Sequence, residues 1–201
     1  MFWAIYLPVL FAGVAMMIRE GLWSNAIALV NIIISGLVAF GFYAPLTVYI
    51  DEYFNGQFTY VLDFVVIWFL FAASMVICRA VTGAASKTRM RFKNPIDPVG
   101  GPLVALIAAW VLASFVMATL HTSPMPKDAF GGKLVSAADV GSASRLTSPD
   151  AAWLRFVEKM SDLAVLGSSG TERFSAKSWT QIQADHRGKY EKSPSLKVRR
   201  G

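Results

Sequence analysis

Four apolar stretches joined by short polar connections fill the first 120 residues: 2–18, 22–50, 60–78 and 99–120. Each is apolar on every side. A helix of a soluble bundle carries charge opposite an apolar stripe, and four helices apolar all round would leave no face for water. A membrane-spanning helix needs about 20 apolar residues. The first stretch is at the short limit, and the second is long enough to require tilt or an extension past the bilayer. Pro8 is tolerable inside a packed bundle. Pro45 is expected to end or bend the second helix, while Pro102 falls in a first turn, where no hydrogen bond is lost. The first stretch has neither a basic leader nor a small-residue cleavage site, so it reads as an uncleaved helix. The pattern predicts an all-α integral membrane bundle of four transmembrane helices over residues 1–120.

The pattern changes after residue 120. Residues 121–148 are rich in Ser, Ala, Gly, Thr and Pro and read as a linker. A helix is expected over about 149–166, with Ser148 as cap, Pro149 in the first turn, Asp150 against the dipole and Gly167 as the stop. Trp153, Phe156, Val157 and Met160 form its apolar stripe, a face to be covered by the chain's own bundle, by the membrane interface or by a partner protein. From residue 168 the chain is polar and reads as a weakly ordered tail whose Trp179 and Tyr190 could touch lipid or cell-wall polymer.

Composition strengthens the membrane reading: 55% of residues are hydrophobic, and the mean hydropathy is +0.48. Charge adds an orientation. Lys87, Arg89, Arg91 and Lys93 cluster between the third and fourth stretches, whereas the connection after the second holds Asp51 and Glu52 and no cation. The positive-inside rule then puts the cationic loop in the cytoplasm, and the N-terminus and C-terminal region on the other side. The same cations suit contact with anionic lipid head groups. Nothing in the loop matches a nucleic-acid-binding motif, so a nucleic-acid partner is not expected.

Inside a bilayer, small residues let helices approach closely. Gly101, Ala105, Ala109 and Ala113 form one such stripe, and Asn31, Ser35 and Ala39 form another; the two are expected to meet. Asn31 is polar at depth and needs a partner, either as an interhelical hydrogen bond or as the lining of a polar path. Asp63 reads as a carboxylate at the interface or the mark of an ion path. His121 and His186 are isolated, and Cys78 is the single cysteine. No group has the spacing of a metal or catalytic site, so neither cofactor, metal nor enzymatic activity is expected.

The stretches IREGLW at 18–23 and NPIDPVGGPLVALIAAW at 94–110 resemble the colicin V production protein family. The resemblance covers roughly residues 1–120. Glu20 separates the arginine and glycine that are usually adjacent in the family, and Ala105 and Ala109 stand where it has glycines. The resemblance implies a bacterial inner-membrane protein linked to colicin V production or export and to envelope upkeep. It implies no catalytic residues. Some similar membrane domains are joined to a periplasmic trypsin-like protease, for which the region after residue 120 is too short. The expected function is a non-enzymatic scaffold or accessory subunit with an envelope or secretion partner. The alternative is a homo-oligomeric channel or transporter subunit.

Overall fold

The computed structural model describes residues 2–54, 58–85, 96–125, 130–144, 146–163 and 173–192. Among these the regular elements are all helical: α1 (Phe2–Met17), α2 (Leu22–Tyr53), α3 (Thr59–Ala85), α4 (Ile96–Thr119), α5 (Pro149–Asp162) and α6 (Ala176–Lys192). A 3₁₀ turn, Leu120–Thr122, follows α4 directly. Three helices, α2, α3 and the run from Asp97 to Thr122, are long and apolar enough to cross a membrane; α1 is shorter.

Three boundaries differ from expectation. Helix α4 begins at Ile96 rather than 99, so Pro102 lies inside the helix and not in its first turn. Pro45 does not end α2, which continues to Tyr53. Proline forgoes one hydrogen bond to the carbonyl four residues back, and a membrane helix tolerates that loss where neighbours or water satisfy the freed group. Helix α3 runs on through Arg79 to Ala85. There the Thr82 hydroxyl donates to the Cys78 carbonyl oxygen (2.7 Å) and accepts from Asn31 Nδ2 (3.1 Å), so the last turns of α3 are tied to α2.

The chain divides into two compact units. One comprises residues 3–42 and 68–113. In it a Cβ added at Gly13 would lie 2.9 Å from Ala109 Cβ, so α1 and α4 meet at their smallest residues. A Cβ at Gly101 would lie 3.2 Å from the Glu20 carbonyl oxygen, which brings the start of α4 against the α1–α2 turn. Asp97 Oδ1 accepts the Leu22 backbone N–H at 2.8 Å, an N-terminal cap for α2 supplied from 75 residues away. Asn25, 1% exposed, donates from Nδ2 to the Gly101 carbonyl oxygen at 2.9 Å and to that of Glu20 at 3.3 Å.

The other unit comprises residues 1–2, 43–67 and 114–201. Here the described part of the expected linker is folded. Phe130, Val135 and Val140 are buried. Arg155 of α5 donates to the carbonyl oxygens of Gly141 (3.1 Å) and Ala143 (2.6 Å). Gly131 and Gly132 turn the chain at φ +62° and +66°, a left-handed pair that glycine adopts without a steric cost. Ser148 precedes α5 without a side-chain cap, and α5 ends at Asp162. Gly167 lies outside the described residues.

The expected weakly ordered tail contains a helix instead. In α6, Ala176, Trp179, Thr180, Gln183 and Arg187 recur at helical spacing and are buried. That face is largely polar, so hydropathy does not reveal it. Glu158 Oε1 accepts the Ala176 N–H at 3.1 Å and caps α6. Trp179 Nε1–H donates to the Tyr43 hydroxyl at 2.6 Å, joining α6 to α2.

Candidate functional site

The unit containing α5 and α6 gathers ionisable side chains from distant parts of the sequence. His121 sits in the 3₁₀ turn and is fully buried. Its Nε2 is 3.0 Å from Oδ2 of Asp150, also fully buried, in the first turn of α5. The same oxygen accepts the Val135 N–H at 2.8 Å. A carboxylate only accepts, so the hydrogen-bond network assigns the hydrogen to Nε2 of His121. Nδ1 of His121 and Oδ1 of Asp150 have no protein partner.

A second pair lies beside it. Asp63, in the first turns of α3, places Oδ2 3.9 Å from Nδ1 of His186 on α6. That is an ion-pair distance beyond hydrogen-bond range. Arg187, the next residue, is 9% exposed, and its Nε has no protein partner. Burial pushes this guanidinium below its ordinary value, and Glu191 one turn on opposes the shift.

Asp63, His121, His186 and Arg187 line one partly open cleft together with Ser123 and Tyr190. Its volume is about 10 Å³, room for about one water molecule. Tyr190 packs edge-on against Tyr60 with ring centroids 5.5 Å apart. The Ser123 and Thr122 hydroxyls donate to the carbonyl oxygens of Leu120 (2.7 Å) and Thr119 (2.8 Å), so neither is aimed at His121 as a nucleophile. Among the described residues no group of three or more His, Cys, Asp or Glu side chains could hold a metal ion.

The residues singled out in the sequence are distributed as follows. Asn31, Ser35, Ala39, Ala105, Ala109 and Ala113 are each at most 2% exposed. The α4 stripe meets Gly13 of α1 at Ala109 and the α1–α2 turn at Gly101. Asn31 reaches Thr82 of α3. On α5, Trp153 and Val157 are buried, and Trp153 meets Phe115 edge-on at 5.4 Å; Phe156 and Met160 are half-buried. Lys87, Arg89, Arg91 and Lys93 lie outside the described residues. Sequence reasoning missed the cleft. Its histidines stand 65 positions apart, and neither its carboxylate at 63 nor the His121 partner at 150 belongs to a local motif.

The architecture defines an all-helical protein with three helices long and apolar enough to cross a membrane and a folded C-terminal region. Within that class the chain belongs to the colicin V production protein family, whose model matches residues 4–141. No curated protein and no solved structure matches it. The family match runs past α4 and includes Asp63 and His121; Asp150, His186 and Arg187 lie beyond it.

Proposed function

We propose that the protein is a non-enzymatic inner-membrane protein of the colicin V production type, acting as a scaffold or accessory subunit in export or envelope maintenance. The family match over residues 4–141 carries this reading. In it α1 is a fourth span alongside the three longer helices, and the N-terminus and C-terminal region are extracytoplasmic. The cations at 87–93 support that orientation and suit contact with anionic lipid. The Asn31–Thr82 hydrogen bond favours a packing role for Asn31 over the lining of a channel.

A scaffold needs a partner. Phe156 and Met160 are the part of the α5 stripe that keeps exposed surface for one. The test is to tag the chain, express it at native level, crosslink the membranes and identify what copurifies. The expected result is a defined envelope or secretion component, released by Phe156→Glu without loss of membrane insertion. Recovery of only a discrete ring of the chain itself would overturn the scaffold reading in favour of a homo-oligomeric channel.

A further inference from the structure

We propose that the cleft between α3, the 3₁₀ turn and α6 is a phosphate-binding site, with Arg187 as its anchor. Two observations point to a ligand. Arg187 is 9% exposed and its Nε–H lacks a protein partner. His121, also on the cleft wall and fully buried, has an unpartnered Nδ1, which without a hydrogen is an acceptor and suits a hydroxyl of the ligand's parent group rather than an oxyanion oxygen. A buried guanidinium that keeps an unmet donor is costly, and an oxyanion is the group that satisfies it best.

The shape limits the ligand. The cleft is partly open and, at about 10 Å³, takes roughly one oxygen atom. A terminal phosphate oxygen fits inside while its parent group sits at the mouth. The Asp63 carboxylate on the wall has Nδ1 of His186 at 3.9 Å, and Oδ2 of Asp150 accepts from His121 and Val135. Arg187 is the cleft's arginine, with Glu191 one turn further along the helix.

The position favours a lipid source. Asp63 is the first charge after α3 begins, and His121 immediately follows the apolar run of α4. Both therefore mark where an apolar span meets head groups. The Tyr60–Tyr190 pair beside the cleft is of the kind enriched at that level. Both a phospholipid head group and free inorganic phosphate present the same chemistry.

The experiment uses the full chain in a neutral detergent. Dihexanoyl phosphatidylglycerol and inorganic phosphate are titrated separately, with binding read from tryptophan fluorescence, since Trp179 lies 5.7 Å from the His121 ring. Saturable binding of the lipid is expected, weakened roughly tenfold or more by Arg187→Gln. Lys189→Gln, which removes an exposed charge from the same helix, should leave it unchanged. If inorganic phosphate binds equally well with the same dependence on Arg187, the site is one for the free anion. Should Arg187→Gln fail to fold, Arg187→Lys keeps the charge without the Nε–H and is expected to weaken binding as well. Equal losses in the Arg187 and Lys189 variants, or no saturable binding of either ligand, would overturn the proposal and leave a cleft that holds only water.

Discussion

Asp150 is the residue on which the C-terminal region turns. One carboxylate oxygen, fully buried, holds both the His121 ring and the Val135 backbone N–H. Asp150→Ala strands two buried donors, each worth about 1–3 kcal/mol when left unmet. The expected loss is about 3 kcal/mol, read as a lowered melting temperature in detergent. An unchanged melt would show that water replaces the carboxylate freely. Asp97 is a smaller case. Its oxygen caps α2 at Leu22, so Asp97→Ala should cost about 1 kcal/mol, and Asp97→Asn, which keeps an acceptor, should cost less. Equal melts for the two variants would argue against the cap. Composition marked Asp150 correctly as a first-turn acid, but its partners could not be read, because a side chain's neighbours across 15 and 29 positions follow from how the backbone folds back.

At the scale of elements, the close approach of α1 and α4 rests on having almost no side chain at the contact. Gly13→Ala places a Cβ 2.9 Å from that of Ala109, where neither group is flexible. Overpacking of this kind costs ~1–3 kcal/mol. Ala109→Gly in the same chain removes the opposing methyl and should recover much of that loss, a coupling that distant mutations do not show. If the double variant is no more stable than Gly13→Ala alone, the two helices do not meet at this pair. Helices α1 to α4 were legible because each is apolar along most of its length. Their partners were less so. The small-residue stripes on α2 and α4 were recognisable, but a stripe says only that something approaches closely. Helix α6 was not legible, since beside Ala176 and Trp179 its buried face is built of the polar Thr180, Gln183 and Arg187.

For the whole molecule, the proposed orientation gives a direct test. Alkaline phosphatase fused after residue 201 should be active, and the same enzyme inserted among the cations at 87–93 should be inactive. The reverse pattern would overturn the topology. The C-terminal result does not depend on α1, because a change in that helix moves only the N-terminus. The family match and the long apolar helices were accessible from sequence because both rest on local features, namely runs of apolar residues and short motifs such as those at 18–23 and 94–110. Transfer of an apolar run out of water is favourable wherever the run ends up, so the sequence alone determined which segments suit a bilayer. Only the tertiary structure decided what the polar residues do. It brought His121 to Asp150 and Asp63 to His186, and it buried Arg187 with an unmet donor. Hydrogen bonds and ion pairs act over a few ångströms in space and carry no trace in the spacing of residues along the chain.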